Sequence, residues 1–188
     1  MSELISDEYL DQLQKMRAPN HRPTWGNGGS RHADGLVALI GSHKIKTVLD
    51  YGCGHGNLLN EIAKRLGPKT PALAGYDPGI PERAASPEPA DLVISTDVLE
   101  HIEPEKLSGV LTHLRFLTKK IAYLHIHTGP ANAKLPDGRN AHLIQKPDKW
   151  WHEQLSAYFK TVSPYTAKDG ARTGTFVFGH LKPTFLCQ

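Results

Sequence analysis

The sequence predicts an α/β fold, a three-layer sandwich built on a mostly parallel sheet with an antiparallel hairpin at one edge. Three observations carry this expectation. Short apolar runs of strand length alternate with segments of helical period along most of the chain, the pattern of βαβ units with helices on both faces of a sheet. Val48-Leu-Asp-Tyr-Gly-Cys-Gly-His-Gly-Asn57 reads as a buried strand that ends in a glycine turn, and a helical pattern, Leu58 to Leu66, follows at once. Near the C-terminus two apolar runs are joined by loop alone, which predicts the hairpin.

The elements follow in order. Apolar residues at Leu4, Ile5, Tyr9, Leu10, Leu13 and Met16 predict a helix over 2–17, with Ser6-Asp-Glu as its start. The Gly-rich stretch 18–30 predicts loop, and 31–41 a second helix. Strands are expected over 45–51, 72–77, 91–96 and 120–127, and helices over 57–66, 103–117 and 147–159. The closing hairpin is expected over 160–164 and 175–181. Four prolines between Pro78 and Ala90 disfavour a regular helix there, so the region after the second strand is short. The division expected is one domain over 1–188, with 1–44 as a helical cap or lid and 45–188 as the core that carries chemistry.

Composition narrows the class. The chain has 188 residues, 39% hydrophobic and 22% charged, enough apolar surface for one sizeable core and too much for a disordered chain. No apolar run approaches the roughly 18 residues that a membrane helix needs. The acidic start Met1-Ser-Glu-Leu-Ile-Ser-Asp-Glu8 lacks an apolar signal core, so a cytoplasmic location is expected. Cys53 and Cys187 are far apart, and no disulfide is expected. Net charge is +3, but the basic residues are scattered and form no stripe of the kind a duplex binder shows.

The glycine turn is the first functional signal. Gly52, Gly54 and Gly56 let backbone approach a ligand, and helix-terminal N–H groups remain to contact it. The G-x-G-x-x-G spacing of nicotinamide dinucleotide sites fails, because position 57 is Asn. Asp50 followed by G-x-G-x-G resembles instead the S-adenosylmethionine signature of class I, Rossmann-like methyltransferases, in particular small single-domain members similar to the type 11/23 group. The resemblance implies S-adenosyl-L-methionine as cofactor. It implies contacts to the methionine part from Asp50, Gly52, Cys53, Gly54 and Gly56. Asp77, ending the second strand with Pro78 behind it, matches the acid that accepts hydrogen bonds from both ribose hydroxyls. Many relatives have a further strand and helix after the second strand, with an acid that contacts the adenine amine; this chain has only the proline-rich segment there, so no adenine-contacting acid is carried over.

Ser95-Thr-Asp-Val-Leu-Glu-His-Ile102 is the second signal. Similar strings occur in small-molecule methyltransferases, including those of ubiquinone biosynthesis. The resemblance places Asp97 and Val98 by the sulfonium, in the crevice outside the carboxyl ends of the strands. Glu100 and His101 either bind substrate or only cap and pack. The Asp/Asn-Pro-Pro-Tyr/Phe strings of DNA amino methyltransferases and the Pro-Cys nucleophile of C5-cytosine enzymes are both absent.

A long Gly- and Pro-rich loop over 128–144 follows the fourth strand, and loops of this length are usually functional or disordered. Leu135-Pro-Asp-Gly-Arg-Asn-Ala-His-Leu-Ile144, with Trp150-Trp151, resembles a group of small bacterial and phage methyltransferases of undefined substrate. Transfer to a hydroxyl or amine requires loss of a proton, and an imidazole titrating near neutrality can take it. His142 is the first candidate base and His127 the second, with Asp97 as the third catalytic candidate. Asp137 and Arg139 could clamp a polar substrate, since Arg forks onto carboxylate or phosphate, or Asp137 only shapes a solvated turn at Pro136-Asp-Gly; Asn140 beside them is a further candidate substrate contact. Trp25 and Arg31 are candidate substrate contacts from the N-terminal segment. Trp150 and Trp151 occupy successive helical positions, so at most one faces the core.

The expected function is methyl transfer to oxygen or nitrogen of a small polar molecule, by a monomer or homodimer with no membrane association and no metal. Two alternatives stand beside it: a nucleotide or nucleic-acid methyltransferase, and a cofactor-binding interaction protein without turnover.

Overall fold

The computed structural model describes residues 4–17, 28–163 and 173–179. Its helices are α1 (Asp7–Arg17), α2 (Ala33–Ser42), α3 (Asn57–Leu66), α4 (Leu107–Leu117) and α5 (Asp148–Ser156); its strands are β1 (Thr47–Tyr51), β2 (Ala72–Tyr76), β3 (Ala90–Thr96), β4 (Thr118–His127), β5 (Lys160–Ser163) and β6 (Thr173–Gly179). They form one sheet in the order β2-β1-β3-β4-β6-β5. The first four strands are parallel, with Asp50 opposite Gly75 and Ile94, and Thr96 opposite His125. β6 runs antiparallel to both β4 and β5, the expected hairpin.

The pleat sorts the strand residues into two layers. Leu49, Val93, Ala122, Leu124 and Ile126 meet α4 and α5 on one face, around Leu111, Leu114, Trp151 and Leu155. Val48, Leu92, Ile94, Ile121 and Tyr123 meet α2 and α3 on the other, around Leu36, Ile40, Leu59 and Ile62. Trp151 is fully buried, while Trp150 sits at the edge of its cluster with Lys146 over its ring. One of the two rings faces the core, as the helical spacing requires.

Local chemistry sets the ends of the elements. Ser6 starts α1: its Oγ accepts the Tyr9 N–H at 3.1 Å, a side-chain cap. The predicted helix over 103–117 begins later, at Leu107, because Pro104 opens a separate 3-10 turn over Pro104–Lys106. Likewise 28–32 forms a 3-10 turn, and α2 starts at Ala33 rather than at Arg31. Between β2 and β3 the proline-rich segment holds one 3-10 turn, Pro81–Arg83, and no strand or helix.

A third apolar cluster lies apart from the sheet. Tyr9, Leu13 and Met16 of α1 pack on Ala133, Leu135 and Ala141 of the long loop. That loop is tied together by a Lys134–Asn140 bridge and a tight turn in which Gly138 has φ +89°. Its length is therefore structured around α1.

Candidate active site

The glycine turn after β1 is stapled to the end of β2. The N–H groups of Gly52 and Cys53 both donate to the Tyr76 carbonyl, at 2.7 and 3.1 Å, and that of Gly56 to Cys53 at 2.9 Å. The Gly54 N–H donates to Asp77 Oδ2 at 3.0 Å. The turn's own donors thus bind the protein and hold the turn against the end of β2. Gly52 has φ +82°, and a Cβ there would overlap the Val98 side chain.

Asp77 is buried. Its Oδ1 accepts the Gly79 N–H at 2.9 Å and pairs with the Arg17 guanidinium from the end of α1. Asp50, one strand over, is buried too; burial and then the neighbouring Asp77 charge push its carboxyl up to about 7. Burial, with the Asp50 and Asp77 charges behind it, pushes the Cys53 thiol up to about 12, so it is not a reactive thiolate.

Asp97 follows β3 with φ +55°, a conformation uncommon outside glycine that gathers at functional sites. Its N–H donates to the His125 carbonyl, which fixes the backbone. His125 Nδ1 lies 2.9 Å from Oδ1, and Arg31 Nη2 donates to Oδ2 at 2.7 Å. Burial works to raise this carboxyl, but the His125 hydrogen bond, with the positive charge around it, holds it down at about 2.

Beyond Asp97 the chain makes a 3-10 turn, Leu99–His101. Glu100 is fully buried; burial and then the Asp97 charge push its carboxyl up to about 8. Oε1 accepts the His127 N–H at 3.0 Å, while Oε2 has no hydrogen-bond partner among the described residues. The His101 Nδ1–H donates to the Ala141 carbonyl and that of His142 to the Gly129 carbonyl, each at 2.7 Å. The rings of His101 and His142 are 4.7 Å apart, and those of His127 and His142 4.8 Å. Burial and then the His142 charge bring His101 down to about 4, and burial lowers His142.

These groups border one cavity of about 600 Å3. Of the residues the sequence singles out, it brings together Asp50, Gly52, Cys53, Gly54, Asp77, Pro78, Asp97, Val98, Arg31, Glu100, His101, His127 and His142. Gly56, Arg139 and Asn140 are not in its lining. Gly56 is the left-handed residue that opens α3. Arg139 pairs with Asp137 on the outer turn, at 2.7 Å. The Asn140 amide bridges the N–H and carbonyl of Ala131, a brace inside the loop. Trp25 lies outside the described residues.

The sequence reading expected the N-terminal segment and the long loop to cover the acceptor but did not single out the residues of that outer wall. Leu4, Ile5, Tyr9, Leu13 and Arg17 line it from the N-terminal segment, and Pro130 to Ala133 from the loop. Glu103, also unforeseen, receives the Ser6 N–H and hydroxyl at 2.9 and 2.6 Å and pins the start of α1. The available signal was the apolar face of α1, which a lone surface helix would not need.

The model of the methyltransferase domain family matches residues 4–169. The chain belongs to that family. No curated protein matches it. The domain is similar to magnesium protoporphyrin IX methyltransferase from Synechocystis PCC 6803 with bound S-adenosylhomocysteine (SAH), at 17% identity and TM-score 0.58 over 93% of this chain and 95% of the other. It is similar to Burkholderia thailandensis 1,6-didemethyltoxoflavin-N1-methyltransferase with bound 1,6-didemethyltoxoflavin and SAH, at 16% identity and TM-score 0.58 over 93% and 90%. Mitomycin 7-O-methyltransferase shares 12% identity and a TM-score of 0.63 over 91% of this chain and 60% of its own. At these identities the likeness establishes the fold alone.

Proposed function

We propose that the chain is an S-adenosylmethionine-dependent methyltransferase that transfers the methyl group to oxygen or nitrogen of a small polar molecule. The observation that carries this reading is the link between the glycine turn and the β2 acid. Gly54 donates to Asp77 in the wall of the cavity that also holds Asp97 and His142. A carboxylate accepts only, which suits the two hydroxyls of a ribose. Arg17 holds one Asp77 oxygen and must release it for the sugar to bind. The cofactor would then lie over the carboxyl ends of β2, β1 and β3, its methionine part along Asp50, Gly52, Cys53 and Gly54. Pro78 would flank the sugar, and Asp97 and Val98 the sulfonium.

The acceptor would enter the side lined by Arg31, Glu100, His101, His127 and His142, under α1 and the loop. A cavity of about 600 Å3 is in the range of small-ligand sites. Bound there, the cofactor would supply an electrophilic methyl group whose S–C electron pair stays on sulfur, the site would hold the acceptor in line with it, and an imidazole would take the acceptor proton. Positioning supplies much of the rate. With Nδ1–H donating to Gly129, His142 carries its lone pair on Nε2, and His127 stands beside it.

Calorimetric titration with SAH, with NAD as control, tests the reading. Micromolar binding of the first alone, weakened at least tenfold (about 1.4 kcal/mol) by Asp77→Ala, is expected. No binding, or binding unchanged in that variant, would refute it.

A further inference from the structure

Two groups of side chains in the described residues have metal-ligand composition: His32, Asp97 and His125, and Glu100, His101 and His142. In the first, both Asp97 oxygens are engaged, one with His125 and the other with the Arg31 guanidinium. A dication there would have to displace a fixed positive charge. The second group differs in each respect. Its ligand atoms lie within 4.8 Å of one another, so modest closure would reach the bond lengths of about 2.0–2.2 Å that imidazole and carboxylate ligands make to such ions. Both imidazoles donate Nδ1–H to backbone carbonyls, those of Ala141 and Gly129. That is the outer contact by which metal-bound histidines are oriented, and it leaves Nε2 as the ligand atom. Glu100 is fully buried, one oxygen is anchored by His127 N–H, and the other has no partner among the described residues. A buried carboxylate oxygen without a partner is costly, and a cation would satisfy it.

We propose that Glu100, His101 and His142 form a site for one divalent first-row transition-metal ion, whose open positions take a hydroxyl oxygen of the methyl acceptor. Two imidazoles and one carboxylate suit Mn, Fe, Co, Ni or Zn rather than Mg or Ca, which favour all-oxygen sets. The site departs from the expectation of no metal, because His142 comes from a loop far along the chain. The proposal rests on the methyl-transfer reading for its chemistry and narrows it to an oxygen acceptor. With His142 on the metal, His127 is the base. The metal-bound O–H gives its proton to His127, the oxygen lone pair forms the O–CH3 bond, and the S–CH3 electron pair stays on the departing thioether. The ion supplies Lewis acidity at the acceptor oxygen.

The test is equilibrium dialysis of the full chain against Co2+, with metal analysis and visible absorption. About one equivalent per chain is expected. Glu100→Gln and His142→Asn should each weaken binding at least ~10-fold, and His152→Asn, on an exposed helix position, should leave it unchanged. If Glu100→Gln fails to fold, as judged by circular dichroism, His142→Asn in the loop decides. Well under one equivalent, binding unaffected by His142→Asn, or binding lost on His32→Asn but kept in His142→Asn would overturn the proposal. SAH titration of the same samples separates the two readings: failure to bind SAH sinks the cofactor assignment and with it the ion's role in transfer but leaves the ion site standing, and failure to bind Co2+ sinks the metal site alone.

Discussion

Replacing Gly52 with alanine isolates the closest approach in the site. The residue has φ +82°, and a Cβ built on it lies 2.8 Å from Val98 Cγ1 and closer still to Cγ2. A left-handed conformation costs a residue with a Cβ about 1–2 kcal/mol. The overlap adds the cost of overpacking, about 1–3 kcal/mol, since a β-branched valine cannot swing aside freely. Together they give about 2–5 kcal/mol, a large part of the 5–15 kcal/mol that holds a typical domain. Denaturant unfolding of Gly52→Ala, Val98→Ala and the double variant measures the two terms. The double variant should recover the steric part and keep the backbone part, a coupling of about 1–3 kcal/mol. A Gly52→Ala loss under about 0.5 kcal/mol, or strict additivity in the double variant, would refute the claim that Val98 closes the turn.

Two further outcomes follow from the site. Asp97 is held at about 2 against an ordinary 3.8, facing His125, Arg31 and His32. A depressed carboxyl contributes stability above the unfolded value that disappears as pH falls through the folded one, here about 2 kcal/mol lost between pH 4 and 2. The stability gap between wild type and Asp97→Asn, read by urea unfolding, should therefore shrink across that window; a gap constant from pH 7 to 2 would contradict the pairing. Since α1 and the loop share their own apolar cluster, amides of α1 and of 133–141 should exchange hydrogen together and before those of β3. Exchange of α1 alone, with the loop protected, would show that they do not form one unit.

Much of the sheet and of the inner wall was legible because its signals are local. Strand, glycine turn and helix follow one another within Val48 to Leu66, and Asp77 and Asp97 close their strands, so the parallel register alone brings them to one edge. The outer wall was legible as a cap and a loop, but not the pairs that hold it. Arg17 reaches Asp77 and Ser6 reaches Glu103 across sequence separations of 60 and 97 residues, and no periodicity encodes such pairs. Arg139 and Asn140 were singled out for chemistry that suits a ligand, but the same chemistry suits the bonds they make inside a turn. Helix starts moved where proline or glycine opened a 3-10 turn first, as at Pro104.

β2 stands at the rim of the sheet. A rim strand offers a row of unpaired backbone groups on which another chain can add. This one is poorly suited to such growth. It is five residues long, Ala72-Leu-Ala-Gly-Tyr76, without a β-branched side chain to grip a neighbour. Pro71 and Pro78 bracket it and cannot donate to an added ladder. The exposed border of the sheet thus carries a sequence that discourages aggregation.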